Sequence, residues 1–561
     1  MATATRADGA HAVDVVTVEL VKNALNGIAQ EMQTTLELTA HSQAIREVGD
    51  ASSALFDVSG QLIAQALSLP VQLAGSSVAV KEIIKYCPVE RMREGDVFIL
   101  NHAYYGGSHP PDIILVMPYY RQGKLTGFGC SYAHQVDVGG MLPGSTPPLS
   151  TELFQEGLLI PPMRLIAAGE MNETLVSLIK ANSRKPDSVM GDMRAQLASL
   201  SVGAVRYDET LTRFGEETVH RAVAELIERT RVGFRRLIGE IPDGSYAYED
   251  MLDDDGFDDT PIPIRVNITV AGEAITVDFT GTSKQCRGSL NCPYANSLSA
   301  VYAALKIFLD PRDEIPNNEG CYAAVSIILP QGSLLNPNPP GSVSSRPETQ
   351  ARISNVVMGA LGLALPERAV AQDHGQVAIY RMSGTDPSTG KFFYKSEPLP
   401  GGWGGRSGAD GPDVVDFPVA NLNNTPIEAM EMQFPLRVER YELRADSGGE
   451  GLYRGGLGLR RDIRALVSLD LSVRGERQRF SPRGIFGGGD AMTGAFIVNR
   501  TDGRTEKLPC KAAGIVLGAG DVLTVLTPGG GGYGPAAERD PARVEKDLRQ
   551  GKITRTWPKQ G

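Results

Sequence analysis

Three histidines, His102, His109 and His134, fall within the single stretch Asn101 to Gly140, NHAYYGGSHPPDIILVMPYYRQGKLTGFGCSYAHQVDVGG, out of 7 in the whole chain. The same stretch carries Asp112 and Asp137. Imidazole and carboxylate groups brought together suit a divalent metal such as Zn, Mn or Fe(II). Whether they meet depends on the backbone between them. Ile113–Tyr120 and Leu125–Tyr132 are strand-like apolar runs joined by Arg121-Gln122-Gly123-Lys124, a turn signal, so the stretch reads as a β-hairpin. A loop of three residues, Gln122 to Lys124, sets Asp112 directly across from His134 with both side chains on one face. His109, Asp112 and His134 then converge at the open base of the hairpin. A two-residue loop shifts the register by one and separates them. The plain alternative is a polar loop with incidental histidines, because H-x-x-D is a common chance match.

A second hairpin precedes the first. Ser52 to Phe56 reads as a strand, Asp57-Val58-Ser59-Gly60 as a turn, and Gln61 onward as the returning strand. Asp50 stands at its mouth, either capping a turn or supplying a further ligand, and spacing leaves both open. Ahead of it, Val18, Val21, Leu25, Ile28, Met32 and Leu36 recur at helical steps, so Thr17 to Leu38 is an amphipathic core helix. Ser77 to Tyr86, Asn172 to Asn182, Asp192 to Phe214 and Glu216 to Ile238 are also helical. The open run from Gly140 to about Leu149, rich in Gly, Pro, Ser and Thr, is a lid or substrate loop by composition.

At Ile241-Pro242-Asp243-Gly244 the pattern shifts to short alternating strands. Asp253-Asp254-Asp255 with Asp258 and Asp259 lacks EF-hand spacing and reads as a solvated acidic loop. Ser297 to Leu309 and Gln350 to Leu365 are helices. From Gly401 onward GGWGG, SGGEG and RGGLG read as turn signals between strands, and Asp540 to Gln550 is a charged helix. The expected fold is therefore α+β: a mixed helical and β-hairpin N-terminal metal-binding region, followed by β-rich C-terminal regions. The expected divisions are 1–12, a disordered lead; 13–240, the metal-binding catalytic region; 241–400, a mixed α/β middle region; 401–535, a β-rich glycine-rich region; and 536–561, a C-terminal helix and tail.

Composition limits the function classes. A chain of 561 residues has room for two to four units with large cores. Its net charge of −11 argues against a general nucleic-acid surface. No apolar run is long enough for a membrane span, and the N-terminal residues lack the apolar core of a signal peptide. The 6 cysteines are scattered with no C-x-x-C, which fits a reducing cytoplasm and makes inert buried thiols the default. Gly384-Thr385-Asp386-Pro387-Ser388-Thr389-Gly390-Lys391 fails as a P-loop on spacing, and Phe392 stands where Ser or Thr should hold magnesium. Thr527 to Gly534 is glycine-rich but does not open a long helix after a strand, as a dinucleotide fingerprint requires. No G-x-S-x-G elbow is present.

Read as a whole, the chain resembles the B-type (β) subunits of the hydantoinase/oxoprolinase family, from about Val15 to Gly551. The stretches that carry the likeness are EVGDASSALFD, GDVFILN, YYGGSHPPD, AHQVDVGG, EGLLIPP, IPNNEG, GGWGG, ADGPD, PLRVERYELRADSGGEG, YRGGLGLRRD and TPGGGGYG. The family includes ATP-dependent hydantoinases, lactamases and 5-oxoprolinases, and the α subunits of acetone and acetophenone carboxylases. Its metal site, two carboxylates and two histidines, falls here on Asp50, His109, Asp112 and His134. The resemblance implies one divalent ion there, Zn ahead of Mn or Fe. Asp137 is a nearby orienting or acid/base candidate, and His102, at a position where the chain departs from the family, is a compensating polar group and a second catalytic candidate. It further implies that ATP and Mg are bound by a separate A-type subunit, which activates a small cyclic amide, or bicarbonate, by phosphorylation within an (αβ)2 hetero-oligomer. The alternatives are a ketone carboxylase subunit acting on an enol phosphate, disfavoured by length, and a non-catalytic scaffold with a structural metal. The chain departs from the family pattern at Asn101-His102-Ala103-Tyr104, where N-D-P-Y is usual, at His134-Gln135, often a double histidine, and near Gln72, where a histidine is common.

The absence of a phosphate-cradling motif generates the first prediction. Calorimetric titration of the purified chain with ATP is expected to show no binding, and tight binding would send attention back to the glycine-rich segments.

Overall fold

The computed structural model describes residues 13–67 and 72–556. The expected disordered lead, 1–12, and the end of the tail, 557–561, lie outside these residues. The protein is a mixed helix and sheet structure, α+β, in three packed units.

The first unit is a seven-stranded antiparallel sheet. Its strands are β1 (Ala51–Phe56), β2 (Leu62–Gln65), β3 (Val97–Leu100), β4 (Asp112–Arg121), β5 (Lys124–His134), β6 (Met163–Ala167) and β7 (Glu170–Met171), in the spatial order β2-β1-β5-β4-β3-β6-β7. The helices of this unit are α1 (Val15–Thr39), α2 (Gln43–Arg46), α3 (Leu73–Tyr86), α4 (Glu173–Asn182), α5 (Pro186–Phe214) and α6 (Glu216–Ile238). Strands β4 and β5 are apolar at nearly every position because both faces of the sheet are covered. Ile113 and Leu115 pack with α1, α5 and α6, whereas Ile114 and Val116 pack with α3 on the other side.

The hairpin β4–β5 has the register that sets Asp112 opposite His134, but not by the expected route. Its loop has two residues, Gln122 and Gly123, with φ of 50° and 76°, the paired positive φ of a type I′ turn. Alone, that turn would put the pairing one residue out. An irregularity between Tyr119 and Tyr120 corrects it. Tyr119 pairs with Gly127 and Tyr120 with Leu125, so Thr126 is the extra residue of a β-bulge. Strand β1 then pairs with β5 from Ala51 opposite Ala133 to Phe56 opposite Phe128, which brings Asp50 beside His134.

The middle unit has strands β8 (Gly244–Leu252), β9 (Ile262–Ala271), β10 (Ala274–Asp278) and β11 (Val325–Ile328), ordered β11-β10-β9-β8. Helices α7 (Tyr294–Leu309), α8 (Glu319–Ala323) and α9 (Arg346–Ala364) pack with it. The third unit is a sandwich of two sheets. One holds β12 (Ala378–Thr385), β13 (Phe392–Leu399), β16 (Leu469–Arg474) and β19 (Lys511–Leu517), ordered β13-β12-β16-β19. The other holds β14 (Leu436–Leu443), β15 (Leu459–Ala465), β17 (Ala495–Asn499), β18 (Thr505–Leu508) and β20 (Val522–Leu526), ordered β14-β15-β20-β17-β18. One apolar core, including Tyr380, Met382, Ile463, Val473 and Val525, lies between the sheets. Helices α10 (Ile427–Gln433) and α11 (Pro541–Arg549) complete the chain.

Four expectations need correction. The division at residue 400 cuts through the sandwich, because β12 and β13 precede it and pair with each other and with β16. The compositional change at Gly401 marks the start of glycine packing instead. GGWGG and RGGLG, read as turn signals, are not turns between hairpins, and TPGGGGYG packs with them. They are extended segments stacked backbone to backbone, with Gly530 N–H donating to Gly456 O at 2.9 Å and Gly405 N–H to Gly531 O at 2.8 Å. A Cβ on Gly530 would stand 1.9 Å from the Trp403 carbonyl oxygen. The acidic run is solvated only in part, with Asp258 and Asp259 exposed but Asp253 and Asp255 buried. Asp253 is fully buried and accepts from the Gln478 N–H at 2.7 Å, so its charge is spent on another segment's backbone. Likewise the 140–149 loop is not open. Ser145 and Ser150 are fully buried, and Glu156 behind them accepts from the Val343 and Ser344 N–H groups at 2.7 and 2.9 Å.

Gly530→Ala and Gly123→Ala should separate close packing from turn strain. Gly123 has open space around its missing Cβ, so alanine there costs about 1 kcal/mol of left-handed strain. Gly530 is walled by rigid backbone, so alanine there should cost about 3 kcal/mol or more. Urea unfolding followed by far-UV circular dichroism measures both, and equal losses would contradict the stacking.

Candidate metal centre

The hairpin base, the end of the β1–β5 ladder and the start of α9 meet at one point. His109 Nδ1 lies 2.8 Å from Asp112 Oδ2, and His134 Nδ1 lies 2.9 Å from Asp112 Oδ1. One ligand atom from each of His109, Asp112 and His134 falls within 4.8 Å of the others. The structure thus brings together three of the four residues expected as ligands. Asp50 flanks them: its Oδ2 is 3.8 Å from His134 Nδ1, and its Oδ1 accepts from Gln72 Nε2 at 3.1 Å.

The charge balance in this cluster is tight. Burial pushes the Asp50 carboxyl up to about 6, against the pull of His134. Burial also opposes ionisation of Asp112, but His109 and His134 together hold it well below the carboxylate range. The His109 imidazole is driven down to about 3, chiefly by burial, so it is neutral at physiological pH. A neutral imidazole is the form that ligates metals. His109 Nδ1 is buried and makes no aligned hydrogen bond despite its closeness to Asp112. Two imidazoles and a carboxylate with their ligand atoms this close, one ring nitrogen lacking an aligned hydrogen bond, fit an N/O-ligated divalent ion. Three protein ligands leave a position open, as in catalytic zinc sites.

The cluster borders a cavity of about 580 Å³. Its walls come from all three units: His41 to Ala44 and Gln72 from the first, Arg346 and Gln350 from α9, and Ile379, Arg381, Tyr394 and Arg474 from the sandwich. No cysteine lines it, and burial pushes the Cys130 and Cys292 thiols up to about 12, the opposite of an activated nucleophile.

His102 and Asp137 do not join the cluster, and neither lines the cavity. His102 caps the short turn Ala103–Tyr105, its Nδ1 accepting from the Tyr104 N–H at 3.3 Å. Asp137 is buried and fully engaged in loop packing. It accepts from the N–H groups of Gly139, Gly144 and Arg184 and from the Arg184 guanidinium at 3.0 Å. Both oxygens are occupied, which suits an anchor for the 139–144 loop.

Sequence reasoning missed Arg346. Its Nη2 donates to Asp112 Oδ2 at 3.0 Å, and Tyr132 Oη donates to the same oxygen at 3.3 Å. One signal was available. Arg346 opens α9, directly after Ser345, and a cation at the positive end of a helix is unfavourable unless an anion waits for it.

His109→Ala and Asp112→Ala are expected to lose bound metal with unchanged far-UV circular dichroism, whereas Asp137→Ala keeps the metal and loses stability. Elemental analysis decides. Full metal content in a folded His109→Ala protein would remove the assignment.

The family model for hydantoinase B/oxoprolinase matches residues 14–536. An uncharacterised protein of Methanocaldococcus jannaschii is 36% identical over 97% of this chain and 94% of its own length. The crystal structure of ATP-dependent caprolactamase from Pseudomonas jessenii superposes with a TM-score of 0.91 at 30% identity, covering 97% of this chain and 95% of that one. A nucleotide-free acetone carboxylase shares the fold, with a TM-score of 0.89 at 18% identity over 96% of this chain and 78% of that one. The chain belongs to the hydantoinase B/oxoprolinase family.

Proposed function

We propose that the chain is the metal-holding β subunit of an ATP-dependent enzyme that opens cyclic amides, working on a substrate activated by a separate A-type ATP-binding subunit. The observation that carries this reading is the His109–Asp112–His134 cluster on the wall of a substrate-sized cavity, in a chain of this family. The caprolactamase likeness supports a cyclic amide as substrate.

An unstrained ring amide is resonance-stabilised and resists water. A phosphoryl group on its oxygen removes that protection. One water then adds at the carbon, the ring C–N bond breaks and the nitrogen leaves as the protonated amine. A second water releases inorganic phosphate and leaves a carboxylate. A divalent ion held by His109, Asp112 and His134 would lower the pKa of a bound water toward neutrality. Around it, Asp50 stands next to His134 and, with its carboxyl lifted to about 6, can take or return a proton near neutral pH. Arg346 keeps Asp112 ionised and oriented. An activated intermediate hydrolyses readily in water, so transfer within one closed (αβ)2 assembly is favoured. The second reading, carboxylation of a ketone enol phosphate, would use the same cavity.

The test is co-expression with the A-type partner. ATP loss is followed with hydantoins, lactams, 5-oxoproline, and ketones plus bicarbonate. Ring opening coupled to ATP use, lowered about 100-fold or more by His109→Ala, is the expected result. ATP use with ketone and bicarbonate alone, or activity indifferent to His109, would overturn it.

A further inference from the structure

We propose that Arg346, Arg381 and Arg474 form a subsite for a phosphoryl dianion on the cavity wall beside His109, Asp112 and His134. The proposal rests on the reading of the chain as a subunit acting on a phosphorylated substrate, and it names the part of the cavity that would take the phosphoryl group.

The sandwich supplies two of these residues by register. On β12, Ile379 and Arg381 point to one face. Ile379 pairs with Arg474 across β16, and Ser383, two residues past Arg381, pairs with Tyr394 across β13. Ile379, Arg381, Tyr394 and Arg474 therefore share a face, and all four line the cavity. Arg346 reaches the same space from the start of α9.

These guanidinium groups are poorly matched by the protein's own anions. Arg381 is 5% exposed, and its Nε and Nη1 have no hydrogen-bond partner among the described residues. Arg474 is 1% exposed; its Nε lies 3.2 Å from Glu348 Oε1, and its Nη1 donates to the Ser344 carbonyl at 2.6 Å. Arg346 donates to Asp112 and to Gln350 Oε1 at 2.9 Å, and its Nε is also buried without a partner. Asp112 is shared with the two histidines, so among the described residues Glu348 is the one other carboxylate paired with this group of cations. The other acids on the cavity, Asp50 and Asp386, are held by Gln72 and by Ser388 and Thr389.

Arg346 and Arg474 each have a carboxylate, but Arg381 is buried beside them with no ion-pair partner among the described residues, and a fold that keeps such a cation has a use for it. The same imbalance is seen in Arg474, which burial and the neighbouring Arg381 push down to about 9. The unused N–H groups are planar forks, the donor geometry that matches phosphoryl oxygens. Two negative charges and several equivalent oxygens satisfy such a set better than one carboxylate does.

The experiment uses the purified, metal-loaded full chain and inorganic phosphate as probe. Calorimetry at fixed ionic strength should show phosphate binding in preference to acetate. Arg381→Gln should weaken it about 10- to 100-fold with metal content unchanged. Phosphate bound as tightly by Arg381→Gln as by the wild type would overturn the subsite, since the ion would then be held by the metal or elsewhere. Should that variant not fold, the wild type decides. Phosphate should raise its thermal midpoint more than acetate or chloride at matched ionic strength, and no selective rise overturns the proposal. Turnover is read separately. Phosphate binding lost in Arg381→Gln, in a chain whose partnered form opens no cyclic amide, keeps the subsite and removes the hydrolase reading. Undiminished phosphate binding in an active hydrolase does the reverse.

Discussion

Asp112 is a carboxylate with 1% of its surface exposed, and a buried carboxylate is tolerable only where the fold brings donors to it. The donors come from separate places: His109 from the loop before β4, His134 and Tyr132 from β5, and Arg346 from α9. The last of these binds the first unit to the rest of the molecule. Helix α9 repeats the device along its first turns. Glu348 holds Arg474 of the sandwich and the Val377 N–H, and Arg352 holds Asp250 of the middle sheet at 2.9 Å. Asp250 also takes Arg477 at 2.8 Å. One helix is thus nailed to all three units by buried charges, and the cavity lies where the three meet.

Such pairs add little net stability, because the cost of removing the ions from water consumes most of the attraction. Their effect is on geometry. Breaking one leaves its partner charged and dry, which is far worse than any small displacement that keeps both. The arrangement is therefore stiff where the ligand cluster needs stiffness. These polar contacts run between the units alongside small apolar clusters that also cross, such as Ala303 and Ala351 with Ile379 and Phe417.

Much of the fold was legible. The covered hairpin, the returning strand after Asp57 and the long helices followed from periodicity, and the helices ended close to where expected. Some expected starts came late, though those of α4 and α6 did not. Helix α5 begins at Pro186 rather than Asp192, and α9 at Arg346 rather than Gln350. In both, a proline sits in the first turn, where its missing N–H is harmless. Read as a breaker, it hides the first turn of the helix, and in α9 that turn carries Arg346. The glycine-rich segments misled for a related reason. Glycine marks turns and close backbone contact alike, and local sequence does not say which neighbour is approaching. Arg381 gave no signal, because a single arginine in a strand reads as a solvent-facing residue until a second sheet or helix covers it.

The hairpin shows how function and local preference are reconciled. Right-handed strand twist favours the two-residue type I′ turn at Gln122-Gly123, and that turn dictates one pairing. The ligand cluster requires the other, since a slip of one residue would turn His134 to the opposite face from Asp112. The bulge at Thr126 absorbs the difference within two residues of the turn, far from the cluster, and leaves the ladder regular from Tyr119 to Asp112. The turn and the site are thus free to follow different rules. Counting turn residues fixes the register of a hairpin only when no bulge intervenes.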